Sequence, residues 1–423
     1  MKPNGIEWIG DIPDDWKVIR GKYTLDLLTR STRDNDEVIT CFRDGQVTLR
    51  SNRREDGFTF ADKEIGYQGI RKGDLVIHGM DGFAGAIGIS DSDGKGSPVL
   101  NVCRVKNKSD IRYINYYLRS LAWQNVFLAM TTGIRERSCD LRWKKIAELY
   151  FIVPPHQTQQ KIADYLDEKC GEIDKTIEKQ KESIEKLKAY KQSLISETVT
   201  KGLNKITPLK PTGIKWLGNI PKDWEVCRLK DVVDIYTGNS ISDNLKSYYE
   251  VQKDAKPYIS SKDIDITYKT INYKSGLYVK NNDASFKVAP KNSILICIEG
   301  GSAGKKKAFV ECDITFVNKL ACFNIRNFRL SNKYLYYFIC SPNFEDFFAS
   351  NISGLIGGVS VSILKNFSII LPPLKVQEKI VSYLEKMIIK FDSTINKKQK
   401  IIEKLDAYKK SLIFECVTGK TLI

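Results

Sequence analysis

The run Gly300-Gly301-Ser302-Ala303-Gly304-Lys305-Lys306 is the chain's nearest approach to a motif that does chemistry. Glycines let backbone amides close around a phosphate, and a lysine reaches its oxygens. A nucleotide-binding loop then needs Ser or Thr after the lysine to hold magnesium, but Lys306 stands there and the glycine spacing is wrong. Gly82-Phe83-Ala84-Gly85 is too short for a dinucleotide fingerprint. The only histidines are His78 and His156, neither near a Cys or Ser motif, so no nucleophilic triad is expected. His78 reads as a turn or core residue, and His156, at a helix start, as structural. Ten cysteines stand singly (41, 103, 139, 170, 227, 297, 312, 322, 340 and 416) with no C-x-x-C, so no metal site is expected. There is no N-P-P-aromatic methyltransferase motif, because both Pro-Pro pairs follow aliphatic residues, Val153 and Leu371. With no catalytic spacing, the chain reads as a binder that itself uses no cofactor.

Its charge suggests what it binds. The formal net charge of +16 divides as +3 over 1–153, 0 over 154–202, +8 over 203–371 and +5 over 372–423. That balance favours a polyanion partner. Basic side chains interleaved with Gly, Ser and Asn suit phosphate and base contacts. The candidates are Arg50, Arg53 and Arg54, then Arg135 and Arg137 after Thr131-Thr132-Gly133. Further along come Ser261-Lys262, Lys305-Lys306-Lys307 and the Gly354-Leu355-Ile356-Gly357-Gly358 loop. For any one of these the competing reading is a solvated surface charge. Arginine concentrates in the first region, and the second has Arg228, Arg326 and Arg329 alone. Scattered free thiols, an opening Met1-Lys2-Pro3-Asn4-Gly5 unlike a signal peptide, and no apolar run of spanning length lead to a cytoplasmic, non-membrane expectation.

Two long helices must position these residues. From His156 to Thr200 there is no proline after the opening pair and one glycine, Gly171. Read in sevens, Ala163, Cys170, Ile177, Ile184, Lys191 and Thr198 alternate with Leu166, Ile173, Gln180, Leu187 and Leu194, a heptad seam with polar breaks at Gln180 and Lys191. The stretch recurs 218 positions later with no gap. Its second seam is Val381, Ile388, Ile395, Ile402, Lys409 and Cys416 with Leu384, Phe391, Lys398, Leu405 and Leu412. A lone amphipathic helix of this length leaves its stripe exposed, and two copies can bury each other's. Related copies tend to pair about a two-fold axis, which makes them antiparallel.

The rest repeats as well. Gly5-Ile6-Glu7-Trp8-Ile9-Gly10-Asp11-Ile12-Pro13 returns at Gly213-Ile214-Lys215-Trp216-Leu217-Gly218-Asn219-Ile220-Pro221, and Trp16 at Trp224, with an offset of 208. This reads as an ordered strap with docked tryptophans. Asp74-Leu75-Val76-Ile77 corresponds to Ser293-Ile294-Leu295-Ile296, Phe83-Ala84-Gly85 to Ser302-Ala303-Gly304, and Tyr113-Ile114-Asn115 to Lys333-Tyr334-Leu335. Between these anchors the regions share almost nothing. The expected fold is α+β: two mixed α/β domains joined by two long helices in an antiparallel coiled coil, with a pseudo-two-fold internal repeat. The expected segments are 1–153 (strap and first domain), 154–202 (first helix), 203–371 (strap and second domain) and 372–423 (second helix).

This chain resembles the specificity subunit of type I restriction–modification systems. The carriers are the P-P-x-x-x-Q-x-K-I helix starts (Pro154 to Ile162, Pro372 to Ile380), the K-L-x-A-Y-K-x-S-L-I runs (Lys186 to Ile195, Lys404 to Ile413) and the two straps. The resemblance covers nearly the whole chain. It implies two target recognition domains, each reading half of a split DNA site, and a helix pair setting the gap. It also implies docking of two modification subunits that bring S-adenosylmethionine and methylate adenine, with a restriction subunit able to join, while the chain itself catalyses nothing. The competing readings are a DNA-modifying enzyme with an unfamiliar active site and a coiled-coil scaffold that never touches DNA.

Overall fold

The structure, a computed structural model, describes residues 1–3, 6, 9–53, 65–130, 141–204, 206–214, 216–250, 253–267, 269–354 and 357–423. It contains two compact units. One is Met1–Lys181 with Lys398–Ile423 and the other is Glu182–Lys397. These units cut across the linear segments 1–153, 154–202, 203–371 and 372–423, because each contains part of both long helices.

In the first unit a four-stranded antiparallel sheet is built from β1 (Leu25–Leu27), β2 (Leu75–His78), β3 (Ile87–Ile89) and β4 (Leu100–Val105), ordered β1-β4-β2-β3. Side chains alternate faces along a strand. Leu75 and Ile77 therefore join the main core, while Val76 joins a smaller one with Ile39, Cys41 and Val102. The second unit repeats this order with β5 (Val233–Thr237), β6 (Ile294–Cys297), β7 (Lys307–Phe309) and β8 (Leu320–Ile325), arranged β5-β8-β6-β7. Ile294 and Ile296 face the main core there, and Leu295 and Cys297 the smaller one. The spacing of the sequence anchors thus reflects a shared sheet buried on both faces.

Each unit packs a short helix on its sheet. In the first this is α1 (Ile111–Trp123), started by Asp110, whose carboxylate accepts from the Arg112 and Tyr113 amides. The long helices are α2 (His156–Lys201) and α4 (Leu374–Val417), with α3 (Asn332–Ile339) the second unit's short helix. Tyr113 Oη lies 3.1 Å from the Ile152 carbonyl and 3.0 Å from that of Val417. Tyr334 Oη lies 3.1 Å from Ile370 and 2.9 Å from Val199. The equivalence is therefore Tyr113 with Tyr334, one residue later than the sequence match. A buried hydroxyl has to find an acceptor, and in both units it finds the otherwise unpaired carbonyls at a helix C-terminus. Gln159 and Gln377 form a second shared brace. Gln159 donates to the Pro154 carbonyl and accepts from the Asp110 amide, and Gln377 donates to the Pro372 carbonyl and accepts from the Ser331 amide. The strap tryptophans Trp16 and Trp224 are buried, and Trp216 stacks on Phe367 at 4.7 Å. Trp8 lies outside the described residues.

Within each unit the long helices run antiparallel and bury the expected seam. In the first, Leu166, Cys170 and Ile173 share a core with Leu412 and Cys416, with Ile177 and Leu405 packed against it. There the polar breaks meet: Lys398 Nζ donates to Gln180 Oε1 at 3.0 Å, and Lys409 pairs with Asp174 at 2.6 Å. In the second unit Leu194 packs against the core containing Leu384, and Lys191 pairs with Asp392 at 2.6 Å. Ile184 is buried, and Leu187 and Ile402 are half-buried. Asp174 and Asp392 are 218 apart, as are Lys191 and Lys409, so one ion pair is the repeat of the other. Polar residues that can be satisfied in only one alignment fix the register.

Candidate nucleic-acid interface

The first unit's basic site is built on the hairpin Ile39–Cys41 and Val47–Leu49. Asp44-Gly45 supplies its turn, with Gly45 at φ +93°. Around it lies a cleft of about 600 Å³ whose lining includes Arg43, Arg50, Arg53, Tyr67, His78 and Asp81. Arg43 pairs with Asp81 at 2.8 Å. Arg53 pairs with Asp44 at 2.7 Å and lies 4.1 Å over the Phe42 ring. Arg50 Nε reaches Thr40 Oγ1 at 3.4 Å. Burial raises the Asp44 carboxyl, but the hydrogen bonds from Arg53 and the Gln46 amide outweigh it and leave the group below the usual carboxylate range. His78 Nδ1 accepts from the Met80 and Asp81 amides at 3.2 and 2.9 Å, so its proton sits on Nε2. Burial also pushes its pKa down, which keeps it a neutral donor.

The structure thus brings Arg50 and Arg53 together and adds Arg43, Tyr67 and His78, which the sequence reading did not select. The Asp-Gly turn beside Arg43 was the available signal, since it places a basic residue at a hairpin tip. His78, read as a turn or core residue, belongs to the cleft. Arg54, Arg135 and Arg137 lie outside the described residues.

In the second unit two glycine-rich loops, far apart in sequence, meet. The Gly300 amide donates to the Gly357 carbonyl at 2.8 Å, and Glu299 bridges Gly358. Leu355 and Ile356 lie outside the described residues. Lys306 Nζ donates to the Ser261 carbonyl at 2.7 Å and so brings the short turn carrying Lys262 beside the Gly300 loop. Lys262 and Lys305 are exposed.

Lys307 does not belong with them. As the first residue of β7 it points inward, 1% exposed, and donates to the Ile339 carbonyl at 3.1 Å and to Glu345 at 2.6 Å. The expectation that all three lysines face a phosphate is wrong for the third, because Lys307 begins a strand of a sheet that is covered on both faces. Lys307→Ala leaves the Ile339 carbonyl without its donor and a cavity beneath Glu345, itself 42% exposed. The expected destabilisation is about 2 kcal/mol, read as a shift in the urea midpoint, with Lys307→Met costing less because the stem still packs.

Among the described residues, no group of three His, Cys, Asp or Glu could hold a metal ion, and no helix is long and apolar enough to cross a membrane.

Two sheets of identical order, braced alike on antiparallel helices but presenting different basic surfaces, define a duplicated recognition protein. The family model of the type I restriction modification DNA specificity domain matches residues 63–189 and 221–404, and the chain belongs to that family. It is 25% identical over 430 residues to the type I restriction enzyme MjaVIII specificity subunit of Methanocaldococcus jannaschii, covering 97% of this chain and 93% of that one. To the putative type I restriction enzyme MjaX specificity subunit of the same organism it is 24% identical over 447 residues, with 97% and 95% covered. Its fold is similar to a chain of a type I R-M system solved to explain complex assembly and conformational transition (TM-score 0.74, 16% identity, 97% of this chain and 100% of that one). It is also similar to the HsdS subunit from Thermoanaerobacter tengcongensis (TM-score 0.52, 17% identity, 97% and 98%). Specificity subunits are the non-catalytic DNA-recognition components of type I systems, so this chain's partners are DNA and other subunits of such a system.

Proposed function

We propose that the chain reads a bipartite DNA site, one unit to each half, and that the helix pair sets the gap between the halves. The observation that supports this best is the contrast inside the repeat. Sheet order, tyrosine and glutamine braces and seam ion pairs recur, while the basic surfaces differ: arginines around a cleft in the first unit, lysines beside paired glycine loops in the second. A shared frame with different readers suits two different half-site sequences. Two modification subunits dock on the helices, bind S-adenosylmethionine and methylate adenine, and a restriction subunit can join. Tyr190 and Tyr408, the same residue in the two copies, are each 57% exposed, which suits docking two copies of one partner. The complex works in the cytoplasm.

Methylome sequencing of cells with and without the chain tests this reading. A split motif is expected to be methylated only when the chain is present. The purified chain alone, given DNA and S-adenosylmethionine, is expected to transfer no methyl groups. Turnover by the chain alone would favour a DNA-modifying enzyme. If no DNA shifts in gels even with partner subunits, the chain is a scaffold.

A further inference from the structure

We propose that the sugar–phosphate backbone of bound DNA comes into contact with the second unit at Gly301, where the Gly301 and Ser302 amides and the Lys305 ammonium meet a phosphate. The inference rests on the reading above. It starts from a glycine that the fold does not explain. Most glycines here have a local reason. Gly300 and Gly354, on the two paired loops, have φ of +84° and +83°, a region that side chains resist. Gly82 occupies the corresponding loop of the first unit, and a Cβ there would lie 2.7 Å from Leu141 Cδ1, inside a packed core. Gly301, its counterpart, has neither reason. Its φ is not in the left-handed region, it is exposed, and a Cβ would meet nothing within 4 Å. A glycine in such a place costs unfolded-state entropy for no internal return, and alanine should be tolerated or slightly stabilising. The remaining use of a missing side chain is outward, the close approach of something that is not part of this chain.

The surroundings fit an anion. Among the described residues, neither the Gly301 nor the Ser302 amide has a backbone acceptor, whereas the Ala303, Gly304, Lys305 and Lys306 amides do. Lys305 is exposed four residues on, its Nζ 3.5 Å from the Gly301 carbonyl. The Gly357 carbonyl holds the Gly300 amide at 2.8 Å, so the loop is anchored just before its open stretch. Backbone amides with one lysine give a phosphate contact that carries no base information.

The test uses the full chain with its modification subunits and a duplex carrying the methylated motif. Gly301→Ala and Gly301→Leu are compared with Gly82→Ala by thermal melting and by DNA affinity. Both Gly301 variants are expected to melt at or above the wild-type temperature, whereas Gly82→Ala melts lower. Gly301→Leu is expected to bind roughly tenfold or more weakly, the loss of a charge-assisted hydrogen bond, with Gly301→Ala intermediate and the methylated sequence unchanged. Unchanged affinity in Gly301→Leu overturns the proposal. So does a lower melting temperature in Gly301→Ala, which would mean the fold needs this glycine, and so does a changed methylated sequence, which would place a base edge there. If the wild-type complex itself binds no DNA, the reading of the chain as a DNA reader fails first, and the two failures are told apart by that control.

Discussion

Inserting two residues after Glu182 in α2 is expected to abolish methylation, whereas inserting four is expected to keep it and lengthen the gap between half-sites by about one or two base pairs. Two residues turn the following stripe by roughly 200°, at about 100° per residue. That would carry Leu194 away from the core it shares with Leu384, and Lys191 away from Asp392. Four residues add roughly 6 Å, close to a full turn, and largely preserve the facing stripe. Base pairs stack at about 3.4 Å, so a turn of helix corresponds to one or two of them. The four-residue variant still displaces Lys191 one turn from Asp392. A matching insertion after Lys400, the equivalent point of α4, should restore that alignment, and the doubly extended protein should melt higher than the singly extended one. Methylome mapping reads the gap. An unchanged gap in an active four-residue variant would mean that contacts of the reading domains, not the helices, set the spacing.

Exchanging residues 17–153 for the same segment of a relative is expected to change one half-site completely and leave the other untouched. The segment carries its own sheet, and its ends pair with each other, Lys17 opposite Val153 and Arg20 opposite Tyr150. It also takes with it the arginine-lined cleft. What it leaves behind is the helix frame, joined to it through packing, the Tyr113 hydrogen bond to the Val417 carbonyl, the Asp110 amide bond to Gln159, and the Arg112 and Tyr116 contacts with Asp164 and Asp167. A donor segment that keeps these contacts should dock without loss of stability, and one that lacks the tyrosine leaves the Val417 carbonyl buried without its donor, at about 1–3 kcal/mol. If both halves of the methylated motif change together, the domains do not read independently.

Much of the seam of the long helices was legible in the sequence, though Leu187, Leu194, Ile402 and Leu405 are only half-buried. Heptad spacing is a local property, and Leu166, Ile173, Ile184, Leu384 and Leu412 are buried where that spacing puts them. An ungapped repeat also made the polar breaks comparable, though only the structure shows that Lys191 and Lys409 each find an aspartate and that Gln180 and Lys398 find each other. The sheets were half legible. The anchor spacings located β2 and β6, but strand order depends on pairings across dozens of residues that no local pattern carries. The reading surfaces depended most on tertiary structure. Lys305, Lys306 and Lys307 look alike in sequence, yet a loop ends and a strand begins among them. One is exposed, one is tied to the Ser261 carbonyl and one is buried on Glu345. His78 shows the reverse case, a residue of unremarkable sequence context whose donor is fixed by two amides the chain folds back to it. Periodicity, composition and repeat are sums over neighbours along the chain, so the sequence alone determined the frame and the family. Which polar atoms are left facing outward depends on neighbours in space, and that was decided only by the tertiary structure.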